Sequence, residues 1–136
     1  MKSVMCAVAL LVAVSVFACG DNPPDVRVLA VKDVKFDHEK GGSAPKPVEI
    51  KTAEELAKSP LFADDAGRDA IKKQVDFTKE KLVVFVWSGS GQDKLTGTLI
   101  KRGGTAQFTF KAGLTDDLRH HGHVFAVPKD AKVEVK

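Results

Sequence analysis

"KLVVFVWSGSGQDK", residues 81–94, opens with a lysine and then places six apolar residues in succession, Leu82 to Trp87. A run this short, rich in valine and aromatics, reads as a strand covered on both faces and therefore central in its sheet. The stretch that follows, Ser88-Gly89-Ser90-Gly91, reads as a loop joining two strands, with glycines supplying turn angles.

Toward the C-terminus, "KLTGTLIKR" and "TAQFTFKA" alternate apolar and polar residues on either side of Gly103-Gly104, which predicts a hairpin closed by a tight turn. "HVFAV" and "KVEVK", separated by Pro128-Lys129-Asp130-Ala131, predict a final strand pair. Toward the N-terminus, "VRVLAVKDVKF" (26–36) alternates imperfectly, as an edge strand or a bulged one would. "DHEKGGSAPKP" is then a loop, and "VEIK" switches to a helix start. There Thr52 can cap and Glu55 can reach back, until Pro60 ends the helix. Asp64 or Asp65 can cap a second short helix with Ala66, Ala70, Ile71 and Val75 on its apolar side, weakened by Gly67. The expected fold is α+β: one domain over residues 26–136, a mainly antiparallel β-sheet of six or seven strands with one or two short helices packed on one face.

The first residues carry a different message. Lys2 precedes an apolar stretch that ends in Ala18-Cys19-Gly20, the layout of a secretory leader. At 15 residues, Val4 to Ala18 falls short of the ~20 that a membrane-spanning helix needs. Val16-Phe17-Ala18-Cys19 resembles the bacterial lipobox, which predicts a lipoprotein-type signal peptide over 1–18, cleavage before Cys19, lipidation of Cys19, and a tether over 19–25. Ordinary cleavage after Ala18, giving a soluble periplasmic or secreted protein, is the alternative. Cys6 leaves with the leader, so no internal disulfide can form and the core alone must hold the domain.

The charge balance is modest: 21 Lys and Arg against 18 Asp and Glu, with the two signs interleaved. Without a basic block there is no footprint for nucleic acid or for an anionic membrane face.

Three histidines, His120, His121 and His123, precede the last apolar run. On an extended chain His121 and His123 project to one side and can offer two imidazoles to a divalent metal such as Zn²⁺ or Cu²⁺. His120, Asp116, Asp117 or the distant His38 would supply the third ligand. The alternative is a polar lip before a strand, with His123 paired across the sheet. Trp87, Ser88, Ser90 and Gln92 are the candidate partner-contact residues. A Ser-His-Asp triad can be drawn from Ser88 or Ser90, His123 and Asp93, but no local motif orients them. The prediction is therefore no catalytic residue and no obligatory cofactor.

Asp76-Phe77-Thr78-Lys79 leading into Val83 and Val84, together with His123, Val124, Val127, Pro128 and Lys129, resembles the C-terminal domain of PrcB-like bacterial exported accessory proteins over residues 76–135. That resemblance implies a non-catalytic domain that docks onto or stabilises an envelope protease complex. The expected function is thus a non-enzymatic, envelope-anchored lipoprotein serving as a binding or accessory module for another envelope protein. An exported metal-binding protein is the alternative, and a hydrolase a distant third.

Overall fold

The computed structural model describes residues 26–100 and 104–136; the leader, Cys19 and the tether lie outside the described residues. Seven strands and two short helices follow one another: β1 (Arg27–Val28), β2 (Val48–Ile50), α1 (Ala53–Lys58), α2 (Asp65–Lys72), β3 (Glu80–Ser90), β4 (Lys94–Ile100), β5 (Thr105–Lys111), β6 (Leu118–Pro128) and β7 (Lys132–Val135). A short 3₁₀ turn, His38–Lys40, sits in the segment before β2.

The strands divide into two sheets. One has the order β1-β6-β3-β2 and is antiparallel throughout; the other has the order β4-β5-β7, with β7 parallel to β5. The α+β class holds, and the division into two sheets explains why Leu82 to Trp87 carries no polar position. Alternate residues of β3 face two different cores. Leu82, Val84 and Val86 meet Leu56, Leu61, Phe62 and Ile71 on the helical side. Val83, Phe85 and Trp87 meet Ala106, Phe108, Phe125 and Val127 under the second sheet. The layers run helices, four-stranded sheet, three-stranded sheet, and β3 is sandwiched between the outer two.

Local chemistry starts the helices where the sequence places them. Thr52 Oγ1 accepts from Glu55 N at 3.2 Å, while Glu55 Oε2 accepts from Lys51 N at 2.7 Å, one residue earlier than a reciprocal box would place it. Asp64, not Asp65, caps α2, its Oδ1 accepting from Gly67 N at 2.8 Å. Gly67 itself is buried, and its bare Cα lets α2 close on Val34.

Three sequence expectations are corrected. Only Arg27–Val28 of the 26–36 segment forms a strand: Leu29 N still donates to Val124 O, and from Ala30 the Gln74 side-chain amide takes over, donating to Ala30 O and accepting from Ala30 N, both at 2.9 Å. The "HVFAV" and "KVEVK" segments do not pair: β6 lies between β1 and β3, and the turn after Pro128 carries β7 across to the other sheet. Nor is Ser88-Gly89-Ser90 a loop. β3 runs on through it, facing Leu118 to His120 in continuous register. Two polar segments extend the ladder together, and neither carries the alternation that would announce a strand.

Two buried charges are paired. Glu80 takes a two-pronged contact from Arg27, with Nη2 at 2.8 Å from Oε2 and Nε at 3.2 Å from Oε1. Lys81 is buried against β2 and salt-bridged to Glu49.

Candidate functional site

Beyond Trp87 the β3/β6 ladder projects past its cover, and the segment 112–117 folds back along it. Asp93, Ser90 and Asp117 there each have structural bonds. Asp93 Oδ2 accepts from Trp87 Nε1 at 3.0 Å and Oδ1 accepts from Gly113 N at 2.7 Å. The Gly113 amide, then the indole, hold the Asp93 carboxyl below the usual carboxylate range. Gly89 leaves room for that carboxylate, which any Cβ there would strike. Ser90 Oγ lies 2.5 Å from Thr115 Oγ1 and accepts from Gln92 N and Thr115 N, both at 3.2 Å.

Asp117 closes the other side. It accepts from Gly91 N at 3.2 Å and from Arg119 Nε at 3.0 Å. The Thr115 side chain, followed by Arg119 and the Gly91 amide, pulls its carboxyl down to about 2. Between the Gly91-Gln92 turn, residues 114–117, Arg119 and His121 lies an open cleft of about 880 Å³. A second hollow of about 550 Å³ shares Leu114 with it and is rimmed by Lys94 and Lys111, which face each other across β4 and β5. Leu114, 95% exposed, stands free in the cleft, whereas Leu118, 71% exposed, opens β6 on the His120 side of the ladder.

The histidines separate by strand parity. His121 and His123 share one side, as expected, and both lie flat against Trp87, with ring centroids at 4.7 and 5.3 Å. His121 Nε2 is 2.8 Å from Ser90 O; a carbonyl can only accept, so that nitrogen carries the proton. His123 is half-buried, and desolvation, aided by His121, lowers its pKa. His120 faces the opposite way, stacks on His38 at 4.5 Å, and has Nδ1 2.7 Å from Ser88 Oγ. His38 is likewise lowered, first by burial and then by His120. Gly122 between them is required, since a Cβ would enter the Phe36 ring.

This arrangement sorts the sequence candidates. His120 and His38 are on the far side of the sheet from His121 and His123, and Asp117 is held by Arg119; among the described residues no group of three or more His, Cys, Asp or Glu side chains is placed to hold a metal ion. Trp87 is fully buried, because its ring fills the space between His121, His123 and Phe110, and so it presents no surface to a partner. Ser88, Ser90 and Gln92 do lie at the open end. The Ser-His-Asp triad does not assemble: His123 stacks on Trp87, and Asp93 binds the indole and Gly113. The nearest approach to a nucleophile is Ser88 with His120, whose other neighbour is the His38 ring rather than an orienting carboxylate. The residues that the sequence left unnoticed are Leu114, Thr115, Gly113 and Arg119. Their signal is absent because their partners arrive from the Ser90–Asp93 turn, far away in the chain.

Comparison with models of known protein families, with curated proteins and with solved structures gives no match.

Proposed function

We propose that this chain is a non-enzymatic accessory module of the cell envelope, lipid-anchored through Cys19, that docks another envelope protein with the open end of its β3/β6 ladder. The observation that carries this reading is the exposed Leu114 set on a framework in which Asp93, Asp117 and the Ser90 hydroxyl are engaged in holding the 112–117 segment. Such a framework suits presentation of a fixed surface. An exposed leucine rimmed by Lys94, Lys111 and Arg119 suits a partner with an apolar patch bordered by acidic side chains. The similarity of residues 76–135 to PrcB-like accessory proteins and the lipobox-like Cys19 support the same reading.

Site-specific photocrosslinking in the living cell tests it. A crosslinking residue at Leu114 should give one discrete adduct, absent when the probe stands at Lys72 on α2, and lost when Lys111→Glu is added. The Cys19→Ser change should release the protein from the membrane fraction. No adduct at Leu114, or turnover of a substrate that disappears with Ser88→Ala, overturns the docking role.

A further inference from the structure

Four strands border the two sheets, and three of them are guarded. β1 has two residues, with Arg27 pinned to Glu80. β2 has three, follows Pro47 directly and carries Glu49 in its ion pair with Lys81. β7 has four, with Lys132 and Glu134 along it. β4 is different: seven residues long, without proline and without a charge after Lys94, and paired on one side alone among the described residues. Long neutral edges are what sheet proteins ordinarily avoid, because their unpaired backbone groups recruit another strand.

The sequence of this edge also fits itself. Leu95-Thr96-Gly97-Thr98-Leu99 reads the same in both directions. Two copies placed antiparallel about a two-fold axis at Gly97 therefore face each other as Leu95 with Leu99, Thr96 with Thr98, and Gly97 with Gly97. The burial alternates accordingly, with Leu95, Gly97 and Leu99 on the core side and Thr96 and Thr98 exposed. The leucine pairs would continue the apolar layer beneath Phe108, and the threonines would form neutral cross-strand pairs. Lys94 would lie opposite Ile100, which is exposed, so the one charge of each strand meets an aliphatic side chain and never its own copy. Gly97 allows no side chain on the core side, where a Cβ would crowd Phe108 and Val26.

We infer that the β4 edge is a homodimerisation surface, in which two copies of this chain join their three-stranded sheets into one of six strands through antiparallel β4 pairing centred on Gly97. A two-fold axis makes the contact closed, so it yields a dimer and not a fibre. The inference does not rest on the docking surface proposed above, which uses the open end of the β3/β6 ladder and shares only Lys94 with this edge.

The test is sedimentation of the protein as processed and purified from an exporting host, over a wide concentration range. The wild type should show a concentration-dependent dimer. Thr96→Lys/Thr98→Lys sets two like-charge pairs across the axis and should weaken dimerisation about tenfold or more, while Thr96→Lys/Thr98→Glu, with the same positions changed, sets opposite charges there and should restore it. Both pairs of substitutions are on exposed side chains, and circular dichroism should be the same for all three proteins. A wild type that stays monomeric overturns the inference and leaves the edge to another occupant. A dimer untouched by either double variant, or broken equally by both, overturns the Gly97-centred pairing.

Discussion

The two halves of the β3/β6 ladder share the same hydrogen-bonded register, yet they behave as different materials. From Leu82 to Phe85, opposite Ala126 to His123, side chains of both strands are packed between the helices and the second sheet. From Ser88 to Ser90, opposite His120 to Leu118, the apolar cover is gone and the ladder is flanked by its own turn, by residues 112–117 and, at Ser88 and His120, by the 38–42 segment. The covered half is held by dispersion and burial. The open half is held by hydrogen bonds from Asp93, Ser90 and Asp117. Trp87 is the junction, with its ring in the apolar layer and its N–H bonded to Asp93.

The sharpest way to break this contrast is to empty the covered half. Phe125→Ala removes a buried ring that meets both Phe85 and Phe108, and should cost about 3–5 kcal/mol by denaturant unfolding. At the junction, Asp93→Ala strips the partner from a buried indole N–H and should cost about 1–3 kcal/mol. Amide exchange should then quicken at Gly113 while the Leu82 to Phe85 amides remain protected. A loss at Asp93 as large as that at Phe125 would mean that the two halves unfold as one.

Protonation offers a gentler probe. Burial holds the pKa of His123 and of His38 below the ordinary histidine value of 6.5, so the unfolded chain binds more protons just below that pH. Stability should fall as pH drops through 6.5 and level off once the folded-state values are passed. His123→Phe, which keeps an aromatic ring against Trp87, should flatten part of that slope; an unchanged slope would assign the effect elsewhere. Smallest of all is Lys111→Glu, an exposed change expected to move stability within about 0.5 kcal/mol while abolishing the crosslink from Leu114.

The covered half was legible in the sequence because burial on both faces leaves an unbroken apolar run, and because helix caps such as Thr52 and Asp64 act over three residues. The β4/β5 hairpin was legible for the same local reason. The open half was not. Ser88-Gly89-Ser90 and Arg119-His120-His121 become strands only by pairing with each other, and that information lies in their mutual fit. The histidines illustrate the limit: parity alone placed His121 and His123 together, whereas their stacking on Trp87 depends on a strand more than thirty residues away, as the Trp87–His121 pairing shows. The destination of β7 was hidden as well, since parallel pairing with β5 leaves no turn signature between the two.

The long separation between the central strands sets the order of events when the chain folds. Glu80 pairs with Pro128 and Ser90 with Leu118, so the most apolar segment of the domain is made well before the strand that completes it. The β4/β5 hairpin lies in that interval, closes locally within microseconds, and brings Ala106 and Phe108 to the face that Phe85 will need. The hairpin is thus the local element that can roof β3 before its neighbour pairs, and slowing its closure should show first as aggregation during production.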